Sequence, residues 1–401
     1  MDSALPSNPV LDDLSLEIAQ ESAALGASLA PLTRGRLAAL LHLVSGYWSS
    51  RLEGRHPRAG DLERAMRDEF ADDPAIRASQ RETRAQVEVE QLLGQWVAEP
   101  RIDVSSPEFL RRVHWELYAR VPAELRFVDD STTRRREAIS PGSLRATHAQ
   151  IGRNPAPPPE TLGAHLTRFA DAFDPTRLTR SQRIIAVAAS HQRLMALHPF
   201  LDGSGRVARL FTTAYASRAG IGGGGLWSLS RAIARRRDDY LAALGETGTP
   251  RLDPGNTGGG TSERALISFC RLFLEAALEE IRAMRAALAI ETLEARVLGY
   301  AALRETGHIP GATGDPGPTT RLRAETGALL RQVLLRGEVS RGEIGQITGL
   351  GERTARMLTS ELLSEGLLES GTHRQPVRLG LPVHAVAYYL PGLFSEEARL
   401  S

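Results

Sequence analysis

Between Ser181 and Ala196 the chain reads SQRIIAVAASHQRLMA, with apolar residues at Ile184, Ile185, Val187, Ala188, Leu194 and Met195. That spacing predicts an α-helix, and Ser181 is placed to cap its N-terminus. Pro199 disfavours helical geometry at the residue before it, so the helix should end at His198. Beyond Gly205, apolar residues recur at Val207, Leu210, Phe211, Ala214 and Tyr215, again one face of a helix. The stretch therefore reads as helix, short loop, helix, with Gly203, Ser204 and Gly205 where the second helix starts. Periodic apolar runs also fill the first hundred or so residues and the span Ile281 to Arg304, which makes the chain mainly α.

The C-terminal part has a different rhythm. Leu329 to Leu335 is a helical run, and Ser340-Arg341-Gly342-Glu343 reads as a capping box. Gly349-Leu350-Gly351 makes a turn before a second helix, Glu352 to Glu365, in which Ala355, Met357, Leu358, Leu362 and Leu363 are available for packing. Leu367 to Ser370, a turn at Gly371 to Pro376, and Val377 to Leu381 read as a two-stranded wing. This unit looks like a winged helix–turn–helix. Arg353 and Arg356 on the second helix, with Arg374 on the wing, are its candidate DNA phosphate contacts. Glu352, Glu361 and Glu365 interrupt that basic face, so docking of a protein partner or of a second copy of the chain stays open beside DNA binding. The expected organisation is an N-terminal helical region (1–104), a core (105–285), a helix and linker (286–320) and the C-terminal unit (321–401). Turn-rich stretches fall at Arg153 to Pro159, Thr247 to Thr261 and Thr306 to Thr320.

Composition narrows the chemistry. The chain has 401 residues, enough for two or three domains, and with 42% hydrophobic residues and a net charge of +1 it gives no global electrostatic argument for nucleic acid or membrane. Its one cysteine, Cys270, lies in an apolar run, excludes an intramolecular disulfide and fits a reducing compartment. The N-terminal MDSALPSNPVLDDLSLE lacks a basic-plus-apolar signal pattern, and no apolar run approaches a membrane span, so cytoplasmic residence is the expectation. All 49 basic residues are arginine. Without lysine the chain cannot be a P-loop NTPase, a protein kinase of the usual kind or a Schiff-base enzyme.

The loop between the two central helices carries the chemistry. From His198 to Arg209 it reads HPFLDGSGRVAR. The first N–H groups of a helix lack internal partners and bind phosphate oxygens, and glycines let the backbone come close. Ser204 adds a hydroxyl donor. Arg206 and Arg209, three apart, present guanidinium forks suited to outer phosphates. Asp202 is a hard oxygen ligand of the kind Mg2+ takes alongside phosphate and water. His198 is placed to remove a proton from an attacking hydroxyl.

This stretch resembles the signature of the Fic (Fic/Doc, Fido) family, HxFx(D/E)GNGRxxR, whose typical activity transfers AMP from ATP to a protein hydroxyl. The resemblance implies His198 as general base, Phe200 as a buried anchor, Asp202 as Mg2+ ligand, Gly203 to Gly205 as phosphate cradle, and Arg206 and Arg209 on the outer phosphates. It departs at Ser204, where the family has Asn. Gly205 also separates it from relatives with kinase activity, which carry Lys there. Ser49-Ser50-Arg51-Leu52-Glu53-Gly54 matches the (S/T)xxxE(G/N) pattern of the family's N-terminal inhibitory helix. By that likeness Glu53 pairs with Arg209, in space a γ-phosphate requires; in bifunctional relatives such a glutamate positions a water for AMP removal.

Further likenesses extend the match. Pro141-Gly142-Ser143-Leu144-Arg145 followed by Thr147 to Gly152 resembles the β-hairpin flap that pairs with the target protein, which makes Leu144, Arg145, Thr147, His148 and Ile151 the docking candidates. His114 to Leu117 resembles a core helix, and Tyr240, in a YxxAL-like segment, is either an adenine neighbour or a core aromatic. His191 reads as a packed helix residue, because two histidines alone make a poor metal site. The resemblance implies a protein adenylyltransferase with MgATP and a Ser, Thr or Tyr hydroxyl as partners, the protein itself included. A DNA-binding transcriptional regulator that senses nucleotide through a weakly active or inactive Fic domain is the alternative.

Overall fold

The computed structural model describes residues 5–129, 136–151, 154–247, 263–312 and 321–394. Gly152 at the end of the flap motif, Arg153 of the first turn-rich stretch, residues 248–261 of the second and 313–320 of the third lie outside the described residues.

The N-terminal region folds into α1 (Pro9–Ala27), α2 (Pro31–Leu52), α3 (Ala59–Ala65) and α4 (Pro74–Ala98). The central part contributes α5 (Pro107–Arg120), α6 (Leu162–Ala172), α7 (Arg180–Leu197), α8 (Ser204–Arg218), α9 (Leu229–Ala234), α10 (Arg237–Thr247) and α11 (Glu263–Ala287). Two small antiparallel hairpins interrupt it, β1 (Phe127–Asp129) with β2 (Arg136–Ala138), and β3 (Gln150–Ile151) with β4 (Asn154–Pro155). The fold is mainly helical, as the apolar periodicity implies.

Helices α7 and α8 are the spine. Ile184 to Gln192 is buried without a break, as is Arg206 to Thr212, so both helices are enclosed on nearly all sides. The cap of α7 differs from the expected one. Thr179 accepts from the Gln182 N–H while Gln182 reaches back to the Thr179 N–H. Ser181 bonds instead to Asp12 at 2.7 Å and Ser15 at 2.8 Å, which ties α1 to the spine. Cys270 sits at 0% exposure in α11, and burial pushes its thiol up to about 12, leaving it inert.

The C-terminal part comprises α12 (Ile290–Thr306), α13 (Thr326–Arg336), α14 (Ile344–Thr348), α15 (Glu352–Ser364) and α16 (Val383–Tyr389). Strands β6 (Leu368–Glu369) and β7 (Val377–Leu379) pair as expected, and β5 (Glu338–Val339) adds a third strand in the order β5-β7-β6. The Ser340 box forms only by half: Glu343 accepts from the Ser340 N–H, but the helix opens at Ile344. Met357, expected in the core, is 54% exposed, because the buried stripe of α15 runs through Ala355, Leu358, Thr359 and Leu362. Among the described residues no helix is long and apolar enough to cross a membrane.

Helix α2 is gripped along its length by residues far away in sequence. Near its start Thr33 donates to Leu334 O at 3.1 Å, and Arg36 pairs with Glu369 of β6. Near its end Trp48 donates to Leu393 O at 2.8 Å, and Tyr47 meets Phe394 edge-on at 5.1 Å. Arg231 of α9, paired with the buried Glu280, holds the adjoining Gly392 O at 2.8 Å.

On its other side α2 lies against α4. A side chain at Gly46 would meet Val87 at 2.5 Å, so glycine sets the approach. Ser50 and Thr83 share a hydroxyl hydrogen bond of 2.7 Å. Glu90 of α4 is 6% exposed with Ser45 of α2 as hydrogen-bond partner, and burial pushes its carboxyl up to about 8. The folded chain thus keeps a proton that the unfolded chain releases near the ordinary carboxylate value. Stability should therefore fall as pH rises from about 4.5 to about 8 and level off above. Chemical unfolding of Glu90→Gln across that range should show the decline removed.

Candidate active site

His198 closes α7 in the left-handed region, φ 44° and ψ 62°, with Pro199 behind it. A non-glycine residue held there costs on the order of 1–3 kcal/mol and persists only where its surroundings enforce it. Arg145 supplies the enforcement. Its guanidinium donates to His198 O at 2.7 Å, Leu197 O at 3.4 Å, Thr147 O at 2.8 Å and Pro157 O at 2.6 Å, and its backbone N–H to Pro199 O at 3.0 Å. This corrects the expectation that Arg145 docks a target: it is 4% exposed, faces inward and holds the backbone under the histidine. The imidazole is half-buried, and its Nδ1 is enclosed without a hydrogen-bond partner. Burial and then Arg145 lower its pKa, against the opposing pull of Asp202 and Glu53. At neutral pH it is a neutral ring, the form a base requires.

The loop after it is built around Phe200, fully buried and stacked on His114 at 4.1 Å. His114 of α5 accepts from the Gly142 N–H at Nδ1 (2.8 Å), which leaves Nε2–H to donate to Asp202 O at 3.2 Å. Burial takes this ring down to about 4, so it stays neutral and ties the Pro141-Gly142 turn to the loop. Gly203 has φ 77°, and a Cβ there would meet the Tyr118 ring at 2.8 Å, so position 203 admits only glycine without strain. Ser204 is 2% exposed and turned inward: its hydroxyl accepts from Phe200 N at 3.1 Å and donates to Phe200 O at 3.2 Å. The expected hydroxyl contribution to a phosphate is therefore absent, and the serine braces the loop from beneath.

Asp202 accepts from the Tyr118 hydroxyl and from Arg206 Nη2 at 2.8 Å, while 44% of its side chain stays open. Burial works to raise its pKa, but Arg206, Tyr118, the Gly203 N–H and Arg55 outweigh it and hold the carboxyl below the usual range. Among the described residues no cluster of three metal-ligating side chains exists. A single half-open carboxylate beside a helix start suits Mg2+ held mainly by phosphate and water.

Arg206 is 4% exposed; Nη2 also donates to the Tyr118 hydroxyl at 2.7 Å, whereas Nε and Nη1 are buried without a hydrogen-bond partner. Arg209 donates through Nε to Ser49 at 2.7 Å and through Nη2 to Glu53. Glu53 stands at the end of α2, where Gly54 at φ 77° and the Arg55 N–H to Ser50 O bond of 3.0 Å close the helix. Burial would raise its pKa; Arg209, seconded by Arg206, holds it low, and the ion pair is charged. A Cβ on Gly205 would lie 2.9 Å from Glu53 Oε1 and 3.2 Å from Arg209 Nη1, so this glycine makes room for the pair.

The other expected residues lie apart. Thr147 and His148 are exposed, and Leu144 and Ile151 half-buried, on and before the β3–β4 hairpin. Tyr240 is a core aromatic, 4% exposed, with its hydroxyl on His191 Nε2 at 2.8 Å; the adenine expectation does not fit that burial. His191 is the packed helix residue expected, and burial takes it down to about 3. Arg353, Arg356 and Arg374 are exposed on the C-terminal unit, with Arg356 engaged by Glu352. A cleft of about 2540 Å³ opens between α3 and that unit, but its Arg36, Arg64, Arg67, Arg356 and Arg378 are each paired with a carboxylate. Tyr118, Glu82 and Arg55 belong to the site without any sequence signal pointing to them, except that Tyr118 follows His114 at helical spacing.

The model of the Fic/DOC family matches residues 104–216. Among curated proteins, a protein adenylyltransferase Fic of Nematostella vectensis is 36% identical over 86 residues, 21% of this chain and 19% of the relative. One of Drosophila willistoni is 30% identical over 84 residues, 21% of this chain and 17% of the relative. The matched stretches thus span under a fifth of these relatives. A crystal structure of a Fic family protein from Desulfovibrio desulfuricans superposes with a TM-score of 0.53 at 17% identity, covering 94% of this chain and 98% of that one. At that identity the likeness is one of fold.

Proposed function

We propose, on the premise that residues 104–216 form a Fic/DOC family domain, that this chain transfers AMP from ATP to a hydroxyl of a protein and is held back by Glu53. The observation that carries the reading is the Glu53–Arg209 ion pair beside Gly205, at the helix start that follows the neutral His198.

The unpaired N–H groups at the start of α8 and the guanidiniums of Arg206 and Arg209 receive the phosphate chain. Asp202 would hold Mg2+, which when bound offsets phosphate charge. A Ser, Thr or Tyr hydroxyl enters along the flap, where Thr147, His148, Leu144 and Ile151 offer backbone and side chains for pairing. Its oxygen bonds to the α-phosphorus, the bond from that phosphorus to the bridging oxygen breaks, and pyrophosphate leaves. His198 takes the hydroxyl proton. With Glu53 on Arg209 the outer phosphate lacks its guanidinium. Incubating Glu53→Gly protein with α-labelled ATP, Mg2+ and its own cell lysate should give a 5′-AMP adduct by mass spectrometry, on a target or on the protein itself. No adduct under those conditions refutes the reading.

The C-terminal unit supports a second reading, that of a winged helix–turn–helix contacting DNA. What favours it is the exposure of Arg353 at the start of α15 and of Arg374 in the turn before β7, both on one small helix-and-sheet unit. Arg356, paired with Glu352, contributes less. A gel shift by the full chain should weaken with salt, and Arg353→Ala with Arg374→Ala should lower the salt slope by about one per lost phosphate contact. Absence of any shift would leave this surface to a protein partner or a second copy of the chain.

A further inference from the structure

Two charged residues of the site have no part in the scheme above. Arg55 lies two residues past Glu53, just beyond the glycine that closes α2. It pairs with Glu82 of α4, and the same Glu82 oxygen lies 3.5 Å from Arg206 Nη1. Glu82 is 16% exposed and Arg206 5%, while the Arg55 side chain keeps 35% of its surface. Arg55 also feels the repulsion of Arg206 and, more weakly, the attraction of Glu53 and Asp202. Arg55, Glu82, Arg206 and Asp202 thus form a run of alternating charge beside the Glu53–Arg209 pair, three arginines and three carboxylates in all. Such a cluster is neutral only while no anion is present. Arg206 Nε is buried without a hydrogen-bond partner, and Nη1 has only the 3.5 Å approach of Glu82.

We infer that Arg55 is a third phosphate-holding arginine, kept in reserve by Glu82 as Arg209 is kept by Glu53. The inference rests on the nucleotide reading and extends it. A triphosphate entering at the start of α8 brings negative charge to Arg206 and repels Glu82, the carboxylate that Arg206 and Arg55 share. Arg55, partly open and on the same turn as Glu53, then follows the phosphate. A purely structural Arg55 would clasp α2 to α4 and nothing else. In that case its loss would alter stability without regard to which nucleotide is offered.

Calorimetry in the Glu53→Gly background separates these roles, because the Glu53 brake is already gone. MgATP should bind about tenfold more weakly to Glu53→Gly/Arg55→Ala than to Glu53→Gly, the effect of one lost charge-assisted contact. AMP, which lacks the outer phosphates, should lose less than threefold, and Arg55→Lys should restore most MgATP affinity. Glu82→Gln, which frees Arg55 without deleting it, should tighten MgATP several-fold. Equal MgATP affinity with and without Arg55, or equal losses for AMP and MgATP, would overturn this proposal alone. No MgATP binding by Glu53→Gly itself would overturn the nucleotide reading and this one with it.

Discussion

Glu53→Gly should transfer AMP about a hundredfold faster than the unsubstituted chain, with a matching gain in MgATP affinity. The size follows from the pair it removes. Arg209 is 4% exposed and spends Nε on Ser49 and Nη2 on Glu53, so a phosphate must displace a carboxylate before it gains the guanidinium. Breaking a shielded pair costs roughly 3–5 kcal/mol, and because 33% of the Glu53 side chain is open the lower end applies, about a hundredfold. Glu53 also sits at the negative end of α2, where a carboxylate is disfavoured without a cation facing it. Against that, its removal leaves the buried Arg209 guanidinium without its carboxylate, so the variant free of nucleotide should lose stability that MgATP binding restores. Rates of α-labelled AMP incorporation and calorimetric MgATP titration check the two halves; if neither changes, Glu53 is no brake.

His198→Ala should cut transfer by about 10²–10⁴-fold, the usual contribution of a positioned base, while MgATP affinity stays within a few-fold. The backbone argument supports the second half. Arg145 holds position 198 through its carbonyl, not its ring, so the loop and the helix start behind it keep their shape. The ring's pKa is lowered, so transfer by the Glu53→Gly enzyme should persist into mildly acidic solution and fail only as pH drops through that lowered value. In the Glu53→Gly/His198→Ala variant the residual rate should lack that limb. A pH-rate profile of both proteins is the measurement, and an unchanged rate in the alanine variant would remove His198 from the chemistry.

Much of the spine was legible because its signals are local. Apolar spacing marks α7 and α8, and Pro199 marks the end of α7 at His198. The Glu53–Arg209 pair was expected by likeness of motif and is present. What escaped was the partnering of buried polar groups. Ser181 and Thr179 are equally plausible caps, and only the approach of α1, with Asp12, decides between them. Ser204 and Arg145 look like ligand donors in the sequence, yet both turn inward, because a loop held in an unfavourable backbone conformation needs its own hydrogen bonds first. Tyr118, Glu82 and Arg55 come from helices or turns far from the motif, and no local pattern reports which distant side chain faces which.

The hold on α2 has a thermodynamic consequence. Trp48 and Tyr47 are fastened by Leu393 and Phe394, Thr33 by Leu334 of α13 and Arg36 by Glu369 of β6, while the same helix carries Glu53 at its tip. Seating of that tip would thus be linked to these contacts, were they to loosen. A ligand that loosened them would draw down the population in which Arg209 is occupied, and by reciprocity a nucleotide that unseated the tip would loosen them by the same factor.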